Sequence, residues 1–272
     1  MLRKAKSHTN ERNPEFFEMA RQPDEGNVGW CDRALEQVPQ AGAGKWTCVA
    51  LLGGKDTLSF RVRVAQSHMR SDLLPSYWSE AAILVRGKPA SLAQAQALYV
   101  PLIQPDTGAF APADNGVVSR PFAAFDDPAQ FPNVALIAIP VAQAGVVERV
   151  DAFRSSRSTL DALEHLLRWL AFCWGVSRTG NPLLENYGLP SSCMLETVFA
   201  AENFDLTPGL ESRSSCPEAI WSAALYWHEY FKKTADAEPV GRYAIGHGYD
   251  ILHDGAAANK PRARRKPPRP AR

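Results

Sequence analysis

The sequence predicts an α+β fold: a mostly antiparallel sheet in the N-terminal half, packed against helices from the C-terminal half, with a disordered basic tail behind them. Three observations carry this. Residues 41–150 contain short apolar runs separated by turn-forming residues. Residues 151–253 carry apolar positions at helical spacing. Residues 260–272 hold seven Lys/Arg and no acid.

The strands come first. Lys45–Leu52 (KWTCVALL) reads as a strand, and Gly53-Gly54-Lys55-Asp56 has turn chemistry, because glycine reaches positive φ without a steric penalty. Leu58, Phe60, Val62 and Val64 alternate with Ser59, Arg61 and Arg63, the period of two of a half-buried strand. Together the two runs predict a hairpin. Ala81–Val85 and Ala97–Ile103 read as further strands. Residues 104–133, rich in Pro, Gly, Asp and Asn, read as a long loop. Val134–Pro140 (VALIAIP) is a continuous apolar run suited to a strand buried on both faces. Ahead of all this, residues 1–28 are polar and without period, a flexible arm with one helical turn at Glu15–Ala20.

Helical character begins after Val150. Ser158-Thr-Leu-Asp161 fits a capping box, and Leu160, Leu163, Leu167, Leu170 and Trp174 follow at helical spacing up to Gly175. A shorter helix starts at Ser191/Ser192 and runs to about Ala201. Ser215-Cys-Pro-Glu218 opens a third, with a stripe of Ile220, Ala224, Trp227 and Phe231 widened by Trp221, Leu225 and His228. The Val134 strand needs cover on both faces and the helices have wide apolar surfaces. The reading is therefore one body over residues 29–253, sheet-rich over 41–150 and helix-rich over 151–253, with 254–272 as the tail.

Composition narrows the class. Hydrophobic residues make up 45% of the 272 and charged residues 22%, proportions of a globular chain. The basic residues near the start have no apolar run behind them, so no secretory signal is expected. Val134–Val147 is interrupted by Pro140 and Gln143, and Leu166–Val176 carries Arg168, so no membrane span is expected either. Five cysteines, an odd number with no CxxC pair, argue against a disulfide framework or zinc ribbon and for a reducing, cytoplasmic setting. Abundant Ala and the excess of Arg over Lys fit a bacterial source. The formal net charge is +1, but residues 26–259 hold 18 basic and 24 acidic side chains, a net −6. An acidic body with a basic tail suits an electrostatic partner.

Several residues invite chemistry. Gly44-Lys45-Trp46-Thr47 resembles a phosphate loop only in part: Pro39 stands where the first glycine belongs, Trp46 where Ser or Thr must hold magnesium, and a strand follows instead of a helix. Arg61 and Arg63 share one face if Leu58–Val64 is a strand. With Gln66, Ser67, His68 and Arg70 they form a candidate anion clamp, weighed against a solvated outer face. Arg213 and Ser215, in the run Thr207–Ser215 that leads into a helix start, form a second anion candidate and the preferred small-ligand pocket. His247, Asp250 and His253 have the residue types of a divalent-metal site, but the surrounding glycines favour an ordinary loop, so no metal and no cofactor is predicted. Ser191, Ser192 and Cys193 at a helix start are read as N-caps before nucleophiles. His228 is read as a core histidine with one N–H satisfied.

No catalytic constellation stands out, and the sequence points to a non-enzymatic accessory or scaffold protein. Its body binds other proteins. Its tail, through Arg262, Arg264, Arg265, Lys266 and Arg269, meets nucleic acid or an acidic partner. The competing reading is a hydrolase or transferase acting on a phosphorylated or anionic substrate.

Overall fold

A computed structural model describes residues 18–38, 45–87, 91–105, 114–156, 162–234 and 239–246. Strand β1 (Thr47–Gly53) is the spine of the sheet, every residue of it buried. It pairs antiparallel with β2 (Glu80–Val85) on one side and β5 (Asn133–Ile139) on the other. Beyond β2 lie β3 (Gln96–Tyr99) and β4 (Val118–Pro121); beyond β5 lies β6 (Val240–Ala244). The order is β4-β3-β2-β1-β5-β6, with every neighbouring pair antiparallel.

Alternation along β1 sends its side chains into two cores. Val49 and Leu51 join Ile83, Ile137 and Ile139 under helices α3 (Gln143–Ser155), α5 (Pro190–Ala200) and α6 (Pro217–Thr234). Cys48, Ala50 and Leu52 face the other way, where Trp30, Cys31 and Ala34 of α1 (Asn27–Glu36) cover them. A third cluster lies outside the first, built from α2 (Thr57–Ala65), the inner side of α4 (Ala162–Trp174) and the start of α6. Strand β5, buried along its whole length, matches its continuous apolar run. The chain returns after the helices to lay β6 beside β5, so sheet and helices share contacts throughout.

The structure corrects four sequence readings. First, Leu58–Val64 is helix, not strand, and the predicted hairpin with Lys45–Leu52 does not exist. Asp56 caps α2 by accepting from the backbone N–H of Ser59 at 2.9 Å. The buried positions Ser59, Val62, Arg63 and Gln66 recur at i, i+3, i+4, i+7, a helical period. Three of those four are polar, so the pattern is invisible to a search for apolar periodicity. Gly53 serves close packing and not a hairpin turn: a Cβ there would lie 1.9 Å from the Tyr77 carbonyl oxygen.

Second, the polar arm does not extend to residue 28. Glu18 bridges to Tyr243, Met19 is buried, and α1 starts at Asn27 with the Asp126 carboxylate accepting from Val28 N–H at 2.8 Å. Third, residues 114–133 are not plain loop. They form β4 and a 3-10 turn that buries Phe122 and Phe125. The strand is short, exposed and ends in proline, the character of a sheet edge and hard to see in sequence. Fourth, helical character begins before Val150: α3 starts at Gln143, a helix the sequence reading did not include, burying Val146, Val150 and Phe153 at i, i+4, i+7. No helix among the described residues is long and apolar enough to cross a membrane.

Candidate functional site

Turning a strand into a helix separates the two arginines of the predicted anion clamp. Residues two apart on a helix sit about 200° apart around its axis. Arg61 is exposed, and its guanidinium lies 3.7 Å from where a Cβ on Gly175 would be, at the C-terminal end of α4. Arg63 points inward and has no exposed surface. Its Nε donates to the Ser76 carbonyl at 2.7 Å and its Nη1 to the Gly54 carbonyl at 3.3 Å.

Arg63 belongs to a buried polar knot that ties α2 to the start of α6. The Ser76 hydroxyl donates to Glu218 Oε2 at 2.6 Å and accepts from Trp78 N–H at 3.0 Å. Glu218 N–H donates to Gln66 Oε1 at 2.9 Å, and Gln66 Nε2 donates to the Trp78 carbonyl at 2.8 Å. Arg70 holds Asp72 with two parallel hydrogen bonds, lies 3.5 Å from Glu218 Oε1, and packs over the Tyr77 ring. Burial raises the Glu218 carboxyl, and the Ser76 bond and Arg70 offset only part of that. Because Glu218 is drawn to Ser76 and Arg70, the predicted Ser215–Glu218 capping box does not form. Gln66 caps the helix instead, and Ser215 Oγ is buried without a hydrogen-bond partner among the described residues.

The remaining predicted residues lie apart. His68 is exposed, its Nδ1 donating to the Ala65 carbonyl at 3.0 Å. Arg213 is exposed over the Tyr187 ring. Ser191, Ser192 and Cys193 are buried and do not cap α5; Leu189 is the N-cap and Pro190 opens the helix. Ser191 Oγ instead bonds both the N–H and the carbonyl of Val100, and burial pushes the Cys193 thiol up. All five cysteines are free and buried. His228 is buried and donates from Nδ1 to the Pro239 carbonyl at 3.1 Å. No group of three His, Cys, Asp or Glu suited to a metal occurs among the described residues. His247, Asp250 and His253 lie outside them, as do Arg262, Arg264, Arg265, Lys266, Arg269 and the Ser158 capping box.

The run from Thr207 does border a cavity, of about 610 Å³, between the Thr207–Leu210 turn and α6. Its lining is largely apolar, with Met69, Leu210, Ala219 and Tyr226 prominent. Behind that wall the Thr207 hydroxyl donates to Glu196 Oε2 at 2.9 Å. Glu196 is only 2% exposed; burial pushes its carboxyl up to about 8, and a hydrogen bond shared with Asp205 adds to the rise. Arg213 and Ser215 do not line this cavity. Glu80, at the start of β2, is a second raised carboxyl, pushed up to about 7 by burial and held back in part by Ser191.

Helix α4 supplies the feature that sequence reasoning misassigned. The apolar positions read as its buried stripe face outward: Leu163 is 42% exposed, Leu167 58% and Trp174 63%. Leu170 is half-buried. The inward face is a different set, Ala162, His165, Leu166, Trp169 and Cys173. Trp169 Nε1 donates to the Gly188 carbonyl at 2.8 Å, and His165 Nδ1 bonds the same oxygen at 2.9 Å. Past the helix end, Val176 and Leu184 are also exposed.

No family model, curated protein or solved structure matches this chain.

A helix apolar on every side is normally buried on every side. In α4 one side carries the core and the other meets solvent. The sequence held the signal, since Leu166, Trp169 and Cys173 form a second apolar line beside Leu163, Leu167, Leu170 and Trp174.

Proposed function

We propose that this protein is a non-enzymatic docking module that binds another protein chain through the outer face of α4. The basic residues of 260–272 add an electrostatic contact to nucleic acid or an acidic partner. The observation that carries the reading is the exposed line of Leu163, Leu167 and Trp174. Contiguous apolar surface of this kind on a soluble protein marks an interaction site, and each fully covered Leu or Trp side chain contributes about 1.5–3 kcal/mol. Tryptophan is also the residue type most often found at the energetic centre of interfaces. The competing enzyme reading needs gathered polar groups at an open site. Among the described residues, Arg63 is buried and bonded, Arg70 is ion-paired, and Arg61 and Arg213 stand elsewhere.

Leu167→Glu tests the docking surface. Position 167 is exposed, so the expected effect on thermal stability is within about 0.5 kcal/mol, while co-purification of the native partner falls at least about tenfold. Unchanged partner recovery would contradict the proposal. For the tail, the expected result is nucleic-acid binding by the full chain that falls steeply between about 50 and 200 mM salt and is lost in a 1–253 truncation. Binding that survives truncation would assign it to the body.

A further inference from the structure

We infer that the partner at the outer face of α4 is a second copy of this chain, with α4 packed antiparallel against α4 across a two-fold axis. The inference rests on the docking reading above and names its partner. The first support is spacing. Leu163, Leu167, Leu170 and Trp174 follow intervals of four, three and four, the same from either end of the helix. With the axis midway between Leu167 and Leu170, Leu163 lies opposite Trp174 of the second copy, and Leu167 opposite its Leu170. Such a self-complementary patch is what a two-fold interface requires, and a four-and-three ridge packs well against its own copy.

Charge is the second support, and it fixes the direction. Glu164 stands at the N-terminal end of α4, while Arg61 and the exposed Arg178 stand at the C-terminal end. The Arg61 guanidinium sits 3.7 Å from the Cβ position of Gly175, the left-handed residue that follows the last turn of α4. An antiparallel pair therefore brings Glu164 of each copy toward Arg61 and Arg178 of the other. A parallel pair leaves Glu164 of one copy at the opposite end from Arg61 and Arg178 of the other and makes neither contact. The opposed helix dipoles favour the same direction.

Sedimentation velocity and native mass spectrometry on the full chain test this. The expected result is a concentration-dependent dimer whose Kd rises at least about tenfold in Leu167→Glu, with melts taken below the wild-type Kd unchanged. Glu164→Arg weakens the dimer, and adding Arg61→Glu to it restores pairing, a rescue that general surface stickiness cannot produce. Glu164 also touches Tyr187 and Arg168, so melts accompany that variant and Leu167→Glu stands independently of it. A wild-type chain that stays monomeric, or a dimer that survives Leu167→Glu, overturns the inference. If the monomer still cross-links a different protein through position 167, self-pairing fails and the docking reading stands. If it cross-links nothing, both fail.

Discussion

Arg63→Ala is expected to lower the free energy of unfolding by about 3–5 kcal/mol in urea melts. Arg63 is fully buried, and its guanidinium spans from Ser76 to Gly54. Truncation removes two donors from buried carbonyls, each worth about 1–3 kcal/mol when left unmatched, and opens a cavity in the fully buried space that the side chain fills. The Ser76 segment also delivers the hydroxyl that binds Glu218, so the damage reaches the start of α6. Arg63→Lys keeps the charge but not the planar fork, and is expected to recover only a small part of the loss. A loss below about 1 kcal/mol for Arg63→Ala would show that the knot does not hold α2 to α6.

The second large effect depends on pH. The Glu196 carboxyl is held at about 8 in the folded chain, against an ordinary value of 4.5. A carboxyl raised in the folded state binds its proton more tightly there than in the unfolded chain. Its stabilising contribution is therefore fully present below about 4.5 and is lost as pH rises through about 8. Glu80, held at about 7, acts in the same direction. Thermal melts of the wild type should fall between pH 5 and pH 9. Glu196→Gln mimics the protonated acid: its oxygen accepts from Thr207 and its amide donates toward Asp205. The variant should match the wild type near pH 5 and melt higher at pH 9, leaving a shallower slope that reflects Glu80 and Glu218. Parallel curves for the two proteins would contradict a proton on Glu196.

Strands with simple environments were legible in the sequence. The cores of β1, β2, β3 and β5 follow from apolar runs because both faces of the sheet are covered and every position wants an apolar residue. What failed has specific physical causes. In α2 the buried face is carried by Ser59, Arg63 and Gln66, so local alternation of apolar residues imitates a strand while the real signal is polar. The anion clamp at Arg61 and Arg63 fell with that assignment, because it depended on strand geometry. In α4 two apolar lines share the same four-three-four spacing one residue apart: Leu163, Leu167, Leu170 and Trp174 lie on the outer side, while Ala162, Leu166, Trp169 and Cys173 face inward. Periodicity shows that a helix has an apolar face; it does not say whether the chain's own core or another chain covers it. The Glu218 cap failed for a related reason: Ser76, 142 residues away, competes for its carboxylate.

A photo-cross-linking residue placed at position 167, with a matched control at the exposed Glu148 of α3, tests the central claim most directly. In the native setting, position 167 should give one dominant protein adduct that position 148 does not give, and Trp174→Glu should abolish it. Equal labelling from both positions, or a dominant adduct unaffected by Trp174→Glu, would contradict the assignment of α4 as the docking face.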